Sequence, residues 1–282
     1  MATPFLVSLD PTSPLSDPGI KQLSYFGRVL IKAASLSQAE EFLHQNFRSL
    51  DVYVDATAIS SAGDIVDILN AGAAKAFVTL AQLTALSQEQ SVPSSRLVVY
   101  ASGNEVDTLQ RWISENTERK LVGLCTESPS VKAVVDKLGL SIEDQNVYKI
   151  YNGDTTSEDV LKQDMEQGAV TILPSQALTL ERNVQGKISA ASLLSVRAVQ
   201  DQNGLYATIV TDERGICLGL VWSSDESIAE ALRTGTGVYQ SRKRGLWYKG
   251  QSSGDVQELI RIGFDCDNDC LVFVVKQIGR GM

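Results

Sequence analysis

The sequence predicts an α/β protein in which a degenerate (β/α)8-like barrel is followed by a small α+β domain. Over the first 180 residues, eight short runs rich in β-branched residues alternate with amphipathic segments, and eight strand–helix units close such a barrel. Residues 64–78 also resemble residues 159–173 at an offset of about 95, as expected of a duplicated half-barrel. After residue 203 the pattern changes to strands around a helix, which indicates a separate module.

Each predicted barrel strand is a short apolar run. The runs are Phe5–Leu9, Val29–Ala33, Val52–Asp55, Ala76–Thr79, Leu97–Tyr100, Leu121–Leu124, Val147–Tyr151 and Val170–Leu173. The clearest amphipathic segments between them cover residues 37–47, 63–72, 104–116 and 157–168, where the apolar spacing is typical of helices.

The barrel is predicted to serve as a scaffold or a dimerisation domain. Barrel enzymes bind phosphate with glycine-rich loops after strands seven and eight, whereas these loops here contain only Gly153. Asp10 and Asp55 follow predicted strands at the end where barrel catalysts lie, but the position after strand five is Tyr100. An active site in the barrel is therefore the less favoured interpretation.

A polar, turn-rich linker at 181–203 separates the barrel domain, 1–180, from the second domain, 204–282. The second domain opens with strands, and a helix follows that Ser224 or Asp225 can cap and Gly235 can end. Further strands come next, and residues 255–260 are expected to form a helix or a turn. Such a module leaves an edge and a metal face open, so we expect a homodimer with composite sites.

Composition narrows the class of protein. Hydrophobic residues make up 43% and charged residues 21% of the 282 residues, as in ordinary globular proteins. The net charge of −9 argues against nucleic-acid or membrane partners. The four cysteines show no disulfide-framework spacing, and neither a signal peptide nor a long apolar run is present, so we expect a cytoplasmic protein.

The segment 241–269 contains the most informative chemistry. Asp265, Asp267 and Asp269 alternate along an extended segment, so their carboxylates can converge on a hard cation such as Mg²⁺ or Ca²⁺. Cys266 points the opposite way and suits a softer ion such as Zn²⁺. A calcium EF-hand does not fit, because Cys270 and Lys276 stand where that loop requires Gly and Glu.

A basic and aromatic loop precedes the aspartates by about twenty residues. Its cations can bind phosphate and its rings can stack on a flat base, which suits a phosphorylated nucleotide. The side chains concerned are Arg242, Lys243, Arg244, Trp247, Tyr248 and Lys249. A single-stranded nucleic-acid patch is the less favoured alternative, and Trp247 could also be a core aromatic.

These motifs identify residues 204–277 as similar to the phosphoribosyl-AMP cyclohydrolase family, as it occurs in the amino-terminal part of fungal trifunctional histidine-biosynthesis proteins. The Ser-Arg-x-Arg block, the Trp-x-Lys-Gly block and the Asp-Cys-Asp-x-Asp block occur in order. Gln251 and Ser252 replace the usual Glu and Thr. The resemblance and the loop chemistry together predict the following substrate-binding residues: Ser241, Arg242, Arg244, Trp247, Lys249, Gly250, Ser253, Gly254 and Gln257.

The resemblance also implies two metals, Mg²⁺ at Asp265, Asp267 and Asp269 and Zn²⁺ at Cys266. In the family, a Gly-x-Cys-His run and a later Cys complete the zinc site, whereas this sequence ends in KQIGRGM and its single histidine is His44. We therefore expect an incomplete zinc site and assign no catalytic residue. Cys270 could substitute as a ligand, but a core cysteine is the favoured interpretation.

The expected function is hydrolytic opening of the adenine ring of 1-(5-phosphoribosyl)-AMP by a metal-activated water, a step of histidine biosynthesis. The partners implied are this small nucleotide and a second copy of the chain. The alternative is a catalytically inactive truncated fragment that acts as a nucleotide-binding or dimerisation scaffold.

Overall fold

The computed structural model describes residues 3–10, 19–46, 48–88, 92–118, 121, 123–141, 146–151, 153, 158–265 and 269–279. The chain divides into two compact units. The barrel unit comprises residues 5–14 and 28–174, and the C-terminal unit comprises residues 1–4, 15–27 and 175–282. The chain therefore enters the barrel at Phe5, leaves it after the first strand and returns at Arg28.

The barrel predicted from the sequence is confirmed. Its strands pair in parallel and in chain order, and the last strand pairs with the first to close the sheet. The strands are β1 Phe5–Leu9, β2 Arg28–Lys32, β3 Asp51–Asp55, β4 Lys75–Val78, β5 Leu97–Tyr100, β6 Gly123–Thr126, β7 Val147–Ile150 and β8 Val170–Pro174. The sixth begins two residues later than predicted, at Gly123 instead of Leu121.

Helices follow the strands of the barrel, as the amphipathic segments indicate. Along the chain they are α1 Ile20–Ser24, α2 Leu36–Asn46, α3 Ala62–Asn70, α4 Leu80–Leu86, α5 Glu105–Glu115, α6 Val131–Leu138 and α7 Glu158–Glu166, and α1 belongs to the C-terminal unit. None of the helices in the described part of the chain has both the length and the apolar composition of a membrane span.

The barrel interior is filled with side chains. Phe77 and Tyr148 meet edge to face, with ring centroids 5.0 Å apart, and both are almost fully buried. Asp55 is also buried, and its carboxylate accepts hydrogen bonds from the backbone and hydroxyl of Thr57 and from the Tyr100 hydroxyl at 3.3 Å. Burial raises the pKa of Tyr100 and keeps its hydroxyl a donor. Because Asp55 is satisfied by protein groups, these contacts favour the scaffold role.

The C-terminal unit is built on a four-stranded mixed sheet. The strands are β11 Tyr206–Thr211, β12 Cys217–Ser223, β15 Gln257–Phe264 and β16 Leu271–Gln277, in the order β12-β11-β16-β15. The β11–β16 pair is parallel and the two outer pairs are antiparallel. The remaining elements are β9 Leu178–Thr179, β10 Ile188–Ser189, α8 Ala190–Leu194, α9 Asp225–Thr234 and the hairpin of β13 Val238–Ser241 with β14 Gly245–Tyr248.

Local sequence explains the ends of α9. Ser224 caps its start, because its hydroxyl accepts from the Ser227 backbone while the Ser227 hydroxyl accepts in return. Gly235 ends it with φ of 67°, a left-handed conformation that favours glycine. The predicted helix or turn at 255–260 is wrong from Gln257 onwards, where β15 begins. Burial alternates along this strand, with Leu259 inward and Glu258 outward.

Residues 19–27 complete the C-terminal unit from a distant part of the sequence. The Ile262 backbone of β15 donates a hydrogen bond of 2.8 Å to the Tyr25 carbonyl. Leu23, Tyr25 and Phe26 have exposed fractions of 0%, 4% and 1%. The Tyr25 hydroxyl lies so close to Gly235 that a Cβ there would be 2.5 Å away. This segment is therefore packed core of the C-terminal unit.

Candidate active site

The β13–β14 hairpin positions the basic motif. Tyr239 and Trp247 are cross-strand partners whose ring centroids are 5.9 Å apart. The Ser241 hydroxyl accepts hydrogen bonds from the backbones of Lys243 and Arg244, at 3.4 and 3.2 Å, and so holds the turn. Ser241 therefore has a structural role in the turn, and its predicted substrate contact stays a prediction.

A surface pocket of about 420 Å³ lies beside this hairpin, and we call it the hairpin pocket. It brings together four predicted substrate-binding residues, Ser241, Arg242, Arg244 and Trp247. The other lining residues are Leu220, Val221, Trp222, Gln240 and Lys243. Three cationic side chains and no acidic one line the pocket, so it favours an anion.

The pocket on the opposite face of β14 differs in charge. Its lining has three glutamates and two arginines: Glu181, Arg182, Glu226, Glu230 and Arg233. The Arg233 guanidinium donates twice to the Glu230 carboxylate, at 2.6 and 2.9 Å, and holds the pKa of that carboxyl below its usual range. The Tyr248 hydroxyl donates to the same carboxylate, and this bond raises the pKa of Tyr248. An excess of positive charge is therefore a property of the hairpin pocket.

The glycine turn after β14 supports the hairpin without lining its pocket. Gly250 has φ of 83°, and a Cβ there would lie 2.4 Å from the Asp255 backbone, so the position requires glycine. The Lys249 backbone donates to the Gly237 carbonyl, and the Ser253 hydroxyl accepts from the Asp255 backbone. The predicted substrate contacts of Lys249, Gly250, Ser253 and Gly254 stay predictions.

The sequence predicts a substrate contact for Gln257, whereas its side chain lies in the protein interior. Its side chain has an exposed fraction of 0%. The amide oxygen accepts from the Tyr239 hydroxyl at 2.6 Å, and the amide nitrogen donates to Gln277 at 3.0 Å. Burial raises the pKa of Tyr239, so its hydroxyl remains a donor. Because protein groups occupy both ends of the amide, the structure gives Gln257 a role in core packing.

Asp265 and Asp269 lie at the two ends of the β15–β16 connection. The Asp265 backbone donates to the Cys270 carbonyl at 3.2 Å, and its carboxylate accepts from the Cys270 backbone at 3.3 Å. Asp269 is exposed. The Cys270 thiol lies 3.3 Å from the Ala207 carbonyl, a contact that suits the core interpretation of this cysteine.

The predicted ligands Cys266 and Asp267 lie outside the described residues. Among the described residues, no group of three or more His, Cys, Asp or Glu side chains could hold a metal ion. The predicted metal set therefore stays a prediction.

Trp222 and Leu220 line the hairpin pocket but are missing from the predicted site. They lie on β12, on either side of Val221, which is 9% exposed. The alternation of side chains along a strand places both on one face, so the run LVWS contained the signal. The Arg242 guanidinium carbon lies over the Trp222 ring, 4.9 Å from its centroid.

The C-terminal unit thus combines an α+β fold with a basic and aromatic surface pocket, a lining that suits an anionic ligand with a flat ring. The model of the family described as phosphoribosyl-AMP cyclohydrolase matches residues 219–281, which include the hairpin pocket and the aspartate segment. The C-terminal unit therefore carries a domain of the phosphoribosyl-AMP cyclohydrolase family.

Curated relatives agree with this assignment. The chain is 39% identical to the histidine biosynthesis trifunctional protein of Neurospora crassa over 98% of this chain and 32% of that protein. It is 36% identical to the histidine biosynthesis bifunctional protein his7 of Schizosaccharomyces pombe over 92% of this chain and 64% of that protein. It is 45% identical to a phosphoribosyl-AMP cyclohydrolase of Roseobacter denitrificans over 29% of this chain and 66% of that protein. The two fungal similarities extend over both units.

Proposed function

We propose that this chain hydrolyses the adenine ring of 1-(5-phosphoribosyl)-AMP in histidine biosynthesis. The observation that carries the proposal is the hairpin pocket, which gathers four predicted substrate residues inside the domain that matches the cyclohydrolase family. The named activity of the bacterial relative supports the same reaction.

The hairpin holds the phosphates of this substrate. Arg244 and Lys243 are exposed at the turn, and their backbones are fixed by Ser241. A guanidinium can donate two parallel hydrogen bonds to phosphate oxygens, while an ammonium adds a point charge. Trp247 packs on Tyr239 and forms a wall of the pocket, which excludes water from one side of the ligand.

The aspartate segment would hold the metals. Asp265 and Asp269 flank residues 266–268 in the sequence and carry carboxylate oxygens, a donor type that fits Mg²⁺, and Asp267 would complete the set. Cys266 would contribute a thiolate to Zn²⁺. When bound, zinc supplies a water whose pKa falls from about 15.7 to about 7, a nucleophile suited to ring hydrolysis.

The proposal includes a homodimer with composite sites. Ile216 lies beside the start of the edge strand β12, and its apolar side chain has an exposed fraction of 59%. Burying such apolar surface at an edge strand against a second copy would remove it from water. Light scattering of the full chain measures the mass, and Ile216→Lys should shift it towards the monomer. A wild-type monomer at micromolar concentration would contradict this part.

Turnover of phosphoribosyl-AMP by the full chain tests the activity. Arg244→Gln should raise KM about tenfold or more, because it removes a charged donor to phosphate. Arg214→Gln is the matched control, since Arg214 is exposed on the turn between β11 and β12. Binding of nucleotide without turnover would favour the alternative of an inactive scaffold.

Chelation tests the metals separately. Treatment with a strong chelator should abolish turnover, and Zn²⁺ together with Mg²⁺ should restore it. Asp265→Asn should raise the Mg²⁺ concentration needed for half-maximal rate. Turnover that survives both the chelator and the Asp265→Asn substitution would exclude a metal-activated water.

A further inference from the structure

The hairpin pocket has an apolar wall that the basic motif does not explain. Leu220 and Trp222 project from the same face of β12, and Leu220 is 69% exposed. Phosphate groups gain nothing from such a surface, whereas a flat heteroaromatic ring does. The lining therefore suits a ligand that has a ring as well as an anionic group.

Trp222 is held on a rigid strand. Its cross-strand partner on β11 is Ala207. The adjacent residue Ser223 is fully buried, and its hydroxyl accepts from the Thr208 hydroxyl at 2.8 Å. A ring anchored in this way is pre-organised for stacking, because little side-chain freedom is lost on binding.

The two indoles of the pocket differ in what covers them. Trp247 packs against Tyr239, a protein ring that is almost fully buried. Trp222 instead carries the guanidinium of Arg242, an exposed side chain on the turn. A guanidinium over an indole at the surface is a weak, exchangeable contact.

Taking the proposed function as given, we propose that the adenine base of the substrate stacks on Trp222. Arg242 occupies this surface in the free protein and moves to a phosphate of the substrate when the base enters. The exchange is favourable because a flat π-system replaces a solvated cation on the ring. The released guanidinium then forms charge-assisted hydrogen bonds. Trp222 would thereby make the pocket selective for nucleotides over sugar phosphates, which have no base.

The test compares AMP with ribose 5-phosphate, which lacks the base, by titration calorimetry on the full chain. Trp222→Ala should weaken AMP binding by about tenfold or more, the usual effect of losing a stacked base. Ribose 5-phosphate binding should stay within about twofold. Trp222→Phe keeps a ring and should restore most of the AMP affinity, which guards against a folding defect. Equal weakening of both ligands, unchanged AMP affinity, or no AMP binding by the wild type overturns the proposal.

Fluorescence locates the stacked ring. AMP should quench the tryptophan emission of wild type and of Trp247→Phe, and Trp222→Phe should lose the quench; retention there contradicts stacking on Trp222. Trp112→Phe, on α5 of the barrel unit, is the control, because it removes an indole outside the hairpin pocket and should keep the quench by AMP. Arg242→Ala should weaken AMP more than ribose 5-phosphate, because Arg242 leaves the Trp222 ring only when a base enters, whereas tighter AMP binding would show that Arg242 only blocks the ring. If AMP quenches Trp222 but the chain shows no turnover, the proposed activity is refuted and the stacking stands. If the chain turns over phosphoribosyl-AMP but AMP does not quench Trp222, the stacking is refuted and the activity stands.

Discussion

Tyr25 provides a sharp test of how the C-terminal unit is held together. We predict that Tyr25→Ala lowers the free energy of unfolding of that unit by about 3–5 kcal/mol, the cost of removing a buried aromatic side chain. The side chain is 4% exposed, so almost the whole ring is lost from packed surroundings. Such a loss is a large share of the ordinary stability of a domain, about 5–15 kcal/mol.

The predicted cost belongs to the side chain. The Tyr25 carbonyl accepts from the Ile262 backbone, and alanine retains that hydrogen bond. Tyr25→Phe removes only the hydroxyl and should cost much less. It should also make Gly235→Ala less harmful, because a Cβ at 235 would lie 2.5 Å from that hydroxyl. The penalty for φ of 67° at residue 235 remains in both backgrounds.

Chemical denaturation combined with hydrogen exchange at the Ile262 amide measures this effect, because the amide reports on the C-terminal unit itself. Lys21→Ala is the matched control, since Lys21 is exposed on α1, the helix that ends just before Tyr25. A Tyr25→Ala variant whose Ile262 protection falls by no more than that of the control would refute the reasoning.

Three further predictions concern buried charges and backbone geometry. Lys149→Met should cost about 3–5 kcal/mol in thermal or chemical unfolding, because it leaves the buried Asp164 without its partner at 2.5 Å, and adding Asp164→Leu should recover most of it. Burial, together with the positive charge of Arg28, lowers the pKa of Lys75 to about 8. Between about pH 8 and 10.4 the unfolded chain therefore binds more protons than the folded chain, so the free energy of unfolding should rise with pH in that range. Lys75→Met should abolish this rise. Gly250→Ala should cost about 1–3 kcal/mol or more by chemical denaturation, since its φ is 83° and its Cβ would meet backbone; an unchanged midpoint would contradict the tight turn.

Hydrophobic periodicity predicted the barrel well because each of its strands and helices carries its own local pattern. Seven of the eight predicted strands begin within one residue of their observed starts. The remaining one, β6, begins at Gly123, two residues later than predicted. The helix or turn expected around residue 257 failed for a physical reason. Gln257, a polar residue, lies inward there and obscures the alternation of β15.

The pocket residues that the sequence predicted are mainly those whose side chain type alone indicates its chemistry. Arg242 and Arg244 are cations in a motif, whereas Trp222 is a lone aromatic that a core could equally use. Its place in the pocket depends on the fold, which brings β12 and the hairpin together. For Gln257 the motif does not reveal that Tyr239 and Gln277 already occupy its amide, and its predicted substrate contact stays a prediction.

No local pattern reveals that residues 19–27 belong to the C-terminal unit, since their sequence position is that of the first barrel helix. This connectivity changes how the scaffold role of the barrel can be tested. Deleting residues 1–180 would remove Leu23, Tyr25 and Phe26 from the C-terminal core, so a loss of binding would say nothing about the barrel. Lys149→Met avoids the problem, because it weakens the barrel unit and leaves that segment in place. If AMP affinity is unchanged in this variant while barrel stability falls, the barrel acts only as a scaffold. A parallel loss of affinity would assign it a direct part in the site.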